Sequence, residues 1–112
     1  MPRENIATAP NGRANRWSVK STEVLAAHRT LTVDEIERYN AVAFDCNGAG
    51  RNLVLPAVGV CAGVYLHVRN TTAATHALTI QDAAAATVVA VPAAKGAIVW
   101  CDGVAWQFIL GA

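Results

Sequence analysis

Apolar and polar residues alternate along much of the chain after residue 40, and the alternation is clearest within residues 52–70. Leu53, Val54 and Leu55 form a short apolar run that Pro56 halts, because proline has no N–H to give to a sheet ladder. Gly63 releases a second run, in which Val64, Leu66 and Val68 point to one face while Tyr65, His67 and Arg69 point to the other, the period of a half-buried strand. The same period predicts strands carrying Val42, Phe44 and Cys46, then Leu78 and Ile80, then the β-branched run 87–91 that Pro92 stops. Asn47-Gly48 tolerates positive φ and turns the first of these strands into the run at 53–55. The alanines at 83–86 allow a helical turn but are too few to hold a helix without packing.

Asp102-Gly103 predicts a two-residue type I′ hairpin between residues 97–101 and 104–110. In that register Cys101 faces Val104, Trp100 faces Ala105 and Val99 faces Trp106. Both faces of the hairpin are then apolar, one with Val99, Cys101, Val104, Trp106 and Phe108, the other with Ile98, Trp100, Ala105 and Ile109. One is core. The other is covered by the N-terminal segment or a neighbouring subunit, or by a second sheet of the same chain. Upstream, Thr32 followed by Glu35 is a capping-box pattern that predicts a short helix over 33–39, with Ile36 near Val33 and Tyr39 on one face. Residues 21–29 fit a helical turn or an irregular strand equally.

Composition changes this picture in one respect. Of the 112 residues 54% are hydrophobic and only 15% charged, against about 25% charged in an average soluble domain. Such a chain has little charge with which to solvate every surface, which favours burial of part of its exterior against other subunits. The net charge of +1 predicts neither nucleic acid nor membrane as a partner. Residues 1–20 are different: Arg3, Arg13, Arg16 and Lys20 face a single acid, Glu4, and no apolar period is sustained. We read residues 1–30 as an extended, weakly cationic arm and 31–112 as a β-sandwich domain. Ile6 and Trp17 are the arm's apolar exceptions, packed back on the domain or presented to a partner, where tryptophan is a frequent anchor. Cys46, Cys61 and Cys101 are odd in number and form no C-x-x-C pair, the pattern of a reducing cytoplasm. The N-terminus lacks the apolar core of a signal peptide, and the apolar run 83–94 is too short to span a membrane.

Candidate chemistry is sparse. His28, His67 and His76 show no metal-ligand spacing, and no Gly-x-Ser-x-Gly occurs. Gly48-Ala49-Gly50 lacks the helix and Lys-Ser/Thr of a phosphate cradle. Cys61 with His67 would be a nucleophile and base, but no third group orients them. Trp100 and Trp106 point to opposite faces of the expected hairpin and cannot form one sugar-stacking platform. These residues predict no enzyme, metal or cofactor.

The ordered run Asn52-Leu53-Val54-Leu55-Pro56-Ala57, the glycine-flanked strand 64–70, Ala77-Leu78-Thr79-Ile80 and the closing Cys101-Asp102-Gly103-x-x-Trp106 resembles capsid decoration proteins, also called cement or staple proteins, of tailed bacteriophages. The resemblance covers roughly residues 30–110. It implies a small jelly-roll or tulip-like antiparallel β-sandwich with an extended arm, a non-enzymatic clamp made in the host cytoplasm and placed on the outer capsid surface. Its implied partners are the major capsid protein and itself, as a homodimer or homotrimer. Arg3, Ile6, Arg13, Arg16, Trp17 and Lys20 then belong to a capsid-binding arm, and Tyr65, His67, Arg69, Trp100 and Ile109 to an oligomer or capsid face. Similar strings occur in phage fibre and tail domains, so a carbohydrate- or receptor-binding β-domain is the alternative expectation.

Overall fold

Alternating burial is what turns these runs into sheets. The computed structural model of the chain describes residues 18–73 and 75–111. Along them lie β1 (Glu23–Val24), β2 (Arg29–Thr30), α1 (Val33–Arg38), β3 (Ala41–Asp45), β4 (Arg51–Val54), β5 (Tyr65–Asn70), β6 (Leu78–Gln81), β7 (Thr87–Val91), β8 (Gly96–Cys101) and β9 (Trp106–Leu110). They form a five-stranded sheet in the order β1-β3-β5-β8-β9 and a four-stranded sheet in the order β2-β4-β6-β7. Every second residue of β3 and β5 is buried, and the inward side chains of both sheets share one core. Phe44, Leu66 and Val99 supply it from the first sheet, Leu53, Leu78 and Ile80 from the second, and none of the six exposes any surface. The fold is mainly β with two layers, as expected.

The expectation of a wholly antiparallel sandwich is corrected. The pairs β1–β3, β2–β4, β3–β5 and β4–β6 run parallel; β5–β8, β6–β7 and β8–β9 run antiparallel. From β1 to β6 the chain steps alternately from one sheet to the other, so each strand lies beside the one laid down two strands earlier. Phe44 accordingly stands between Glu23 and Asn70, and Leu53 between Arg29 and Ile80. The turn after β3 is the cause. Asn47 (φ 52°) and Gly48 (φ 94°) do bend the chain, but they carry it across the core into β4 and not back along β3. A crossover of this kind is what parallel pairing requires.

The short helix forms where its capping box predicts. The Thr32 hydroxyl accepts from the Glu35 N–H at 3.2 Å, and the Thr32 N–H donates to the Glu35 carboxylate at 3.0 Å. Ile36 is its buried residue. Of the span read as an arm, residues 18–30 are woven into the domain: Val19 bridges to Ala41, β1 pairs with β3 and β2 with β4. The arm residues Arg3, Ile6, Arg13, Arg16 and Trp17 lie outside the described residues.

Arg29 ties this first turn of the coil down. Its guanidinium donates to the Glu23 carboxylate at 2.8 Å and to that of Glu35 at 2.9 Å, and Lys20 meets Glu23 at 3.1 Å. The hydrogen bonds from Arg29 hold Glu35 down at about 2 and lower Glu23 as well. A carboxylate whose folded pKa lies below its unfolded value binds protons more readily once unfolded. Its contribution is therefore complete above about pH 5 and is lost as pH falls toward 2. We expect Arg29→Met to lower stability by about 1–2 kcal/mol at pH 7 and to flatten the acid limb of the melting-temperature profile below pH 5. A wild-type acid limb in the variant would remove Arg29 from this role.

The closing hairpin forms, with its register shifted. Cys101 pairs with Trp106, Trp100 with Gln107 and Val99 with Phe108. Asp102 is the reason: its carboxylate accepts from the N–H groups of Val104 and Ala105, both at 2.8 Å, and so holds residues 102–105 as a longer connection than the expected two-residue turn. A shift of two residues leaves the side chains still in the ladder on their expected faces, while Val104 and Ala105 pass into the connection. Trp106 is buried and Val104 stands in solvent. Asp82 organises the β6–β7 turn in the same manner, accepting from Ala84 and Ala86 at 2.9 Å, and 83–86 form a turn there without a helix.

One buried polar residue joins the two sheets. Asn70 is fully buried, and its side-chain N–H groups donate to the carbonyls of His76 and Val91, each at 3.0 Å. Its side-chain oxygen accepts from the Thr72 N–H at 3.1 Å, and the Thr72 hydroxyl accepts from the Cys46 N–H at 2.8 Å. The end of β5, the following loop, the end of β7 and the end of β3 are thus held at one point.

Candidate functional site

The outer face of the five-stranded sheet gathers side chains from four strands. Register places Tyr65 of β5 opposite Trp100 of β8, and Trp100 opposite Gln107 of β9. The next row is Ala41, His67, Ile98 and Ile109; the row beyond sets Arg69 opposite Gly96. All five residues expected on an oligomer or capsid face, Tyr65, His67, Arg69, Trp100 and Ile109, therefore share one surface. Ile109 is 59% exposed and Tyr65 37%. Arg69 is the sole charged side chain that β5, β8 and β9 contribute to it.

Between the rows lies an open groove of about 480 Å³ lined by Ala41, His67, Arg69, Gly96, Ile98 and Ile109. Gly96 gives its wall no side chain, and a β-carbon there would come within 3.3 Å of the Val68 carbonyl oxygen. His67 forms an edge contact with Tyr65, ring centroids 6.1 Å apart, and burial lowers its pKa. It is neutral at pH 7, which leaves Arg69 as the groove's cation. Alternation in β5 pointed to His67 and Arg69. Ile98 was already expected on one hairpin face with Trp100 and Ile109; Ala41 and Gly96 were missed because only the pairing register brings them there, although a glycine in a strand is a recognisable sign of close approach.

Other expected positions fall elsewhere. Lys20 is engaged with Glu23 within the fold. Trp106 lies on the core side of its sheet, its indole N–H donating to the Pro56 carbonyl at 3.0 Å, so it and Trp100 occupy opposite faces. The thiols of Cys46, Cys61 and Cys101 are buried and free. Burial, then neighbouring Cys101 and Glu37, push the Cys61 thiol up, which disfavours the thiolate a nucleophile needs. His28 instead accepts the Asn52 N–H at its Nδ1 (3.0 Å). Among the described residues no cluster of three His, Cys, Asp or Glu side chains is placed to hold a metal ion, and no helix is long and apolar enough to cross a membrane. The chain matches no family of known proteins, no curated sequence and no solved structure.

Proposed function

We propose that the protein is a viral structural protein that binds the outer surface of a phage capsid and cements neighbouring major capsid protein subunits. The observation that carries this reading is the joining of Tyr65, His67, Arg69, Trp100 and Ile109 on one sheet face with one charged side chain among them. Such a face is suited to burial against protein: aromatic and branched apolar groups form its centre, and Arg69 lies at one end. Parallel strand pairs depart from the antiparallel jelly roll that the resemblance implies, so the reading rests on the face and not on strand topology. The segment with Arg3, Ile6, Arg13, Arg16 and Trp17 adds a second, weaker contact, and linked copies raise avidity without any single strong site.

The test is co-sedimentation of the full-length protein with expanded capsids. We expect binding that raises the capsid melting temperature, a loss of at least about tenfold in affinity for Ile109→Asp or Trp100→Ala, and weaker binding at high salt for the wild type. Binding unchanged in both variants would sink the assignment of this face. The opposition of Tyr65 and Trp100 favours a second reading, a fibre, tail or receptor-binding domain that stacks a sugar on the outer aromatics. Glycan binding without capsid binding would decide for it.

A further inference from the structure

Among the described residues the edge of the five-stranded sheet opposite β1 is β9; β7 of the other layer runs near it, but no strand pairs with it. Natural edge strands are kept from pairing by shortness, charge, proline or a bulge. Three of the four edges show such protection. β1 and β2 are two residues long and carry Glu23 and Arg29, while β7 ends at Pro92 and its pairing with β6 slips at Ile80 and Gln81. β9 reads Trp-Gln-Phe-Ile-Leu, has no charge and pairs with β8 in unbroken register. Phe108, Ile109 and Leu110 are 46%, 59% and 44% exposed.

The backbone says what fits there. The Gly111 N–H donates to Gly96 at 2.7 Å and the Asp102 N–H to Ala105 at 3.2 Å, which makes Gly96/Gly111 and Asp102/Ala105 bonded pairs. Antiparallel bonded pairs alternate, so Gln107 and Ile109 spend their backbone groups on β8, and Trp106, Phe108 and Leu110 aim theirs outward. Among the described residues no loop or turn backbone group bonds to these three. A row of outward N–H and C=O groups takes a β-strand as its partner. We propose that the partner is the β9 strand of a second copy of this chain, antiparallel, with the two-fold axis through Phe108.

That register is singled out by the parity of the strand. With Phe108 opposite its own copy, Trp106 lies opposite Leu110 and Leu110 opposite Trp106, so every outward backbone group is paired reciprocally. Centring on Gln107 or on Ile109 instead leaves Leu110 or Trp106 without a bonded partner. All facing side chains are uncharged, and two five-stranded sheets become one of ten, with the outer faces continuous across the axis. The pairing deepens the oligomeric part of the capsid reading but needs no capsid.

The test therefore uses the purified full-length protein alone. We expect a sedimenting mass twice the 11.7 kDa of the chain, and concentration-dependent hydrogen-exchange protection at the amides of residues 106, 108 and 110. Phe108→Lys sets two cations on the axis and should give a folded monomer, checked by circular dichroism. Bonded antiparallel residues have Cα atoms about 5.5 Å apart, within the range a disulfide spans, so Phe108→Cys should oxidise to a covalent dimer and Gln107→Cys should not. A monomer at high concentration overturns the proposal. So does a dimer that Phe108→Lys leaves intact, or protection of these amides in the monomer, which would mean that the chain covers its own edge.

Discussion

Replacing Asn70 with alanine is expected to lower the free energy of unfolding by about 3 kcal/mol and the melting temperature by roughly 10–15 °C. The loss follows from what the side chain leaves behind. The carbonyls of His76 and Val91 and the N–H of Thr72 all direct their bonds at Asn70, which is fully buried. An unsatisfied buried group costs about 1–3 kcal/mol, more than a satisfied bond contributes. Two further variants separate the hydrogen bonds from the volume. Asn70→Leu restores most of the bulk yet leaves the same groups orphaned, so chemical denaturation should find it no better than alanine. Asn70→Asp keeps the shape but turns a donor into an acceptor facing two carbonyls, and should be at least as destabilising. If leucine restored wild-type stability, Asn70 would be a space-filler and the sheets would be held by packing alone.

Trp106→Ala should cost about 3–5 kcal/mol, the usual range for emptying a large aromatic from a core. Trp106 is only 6% exposed although it begins an edge strand, because its ring packs inward and its indole N–H is tied to the Pro56 carbonyl. Pro56 ends the run of β4 in the opposite sheet. The bond thus joins the last strand of one layer to the middle of the other, across 50 residues of chain. Trp106→Phe keeps most of the apolar area and orphans that carbonyl, so its loss should be smaller, about 1–2 kcal/mol. Equal losses for the two variants in urea unfolding would show that the hydrogen bond, and not the buried ring, accounts for the effect.

What was legible in the sequence was local. The faces of β3, β5 and β6 follow from side chains two residues apart, and the helix at Thr32 from groups within one turn, so neither needed a distant partner. Pairing was not legible. Val42 and Val68 lie side by side in parallel strands, and nothing in either run distinguishes that arrangement from an antiparallel one. β1 and β2 escaped because two residues cannot display a period; they are strands only because β3 and β4 offer them an edge. The hairpin register turned on the Asp102 carboxylate, whose capture of two N–H groups outweighs the preference of Asp-Gly for a tighter turn. The same division runs through the candidate site. Tyr65, His67 and Arg69 were readable from one strand, whereas their meeting with Trp100 and Ile109 depended on register, as did the recess at Gly96.

The alternating path from β1 to β6 also governs how the molecule carries a pulling load. Tension applied at Ser18 reaches β1 and β2 first, the outermost strands of the two layers, each held by a single neighbour. Both can come away without breaking any strand pair among β3 to β9, so one loop of the winding pays out while the remainder stays assembled. Arg29, gripping Glu23 and Glu35, is the catch on that loop. A molecule tethered through its N-terminal segment would then lengthen before it yields, giving up Leu25 and Leu31 from the core while the pairs among β3 to β9 still hold Phe44 and Leu66.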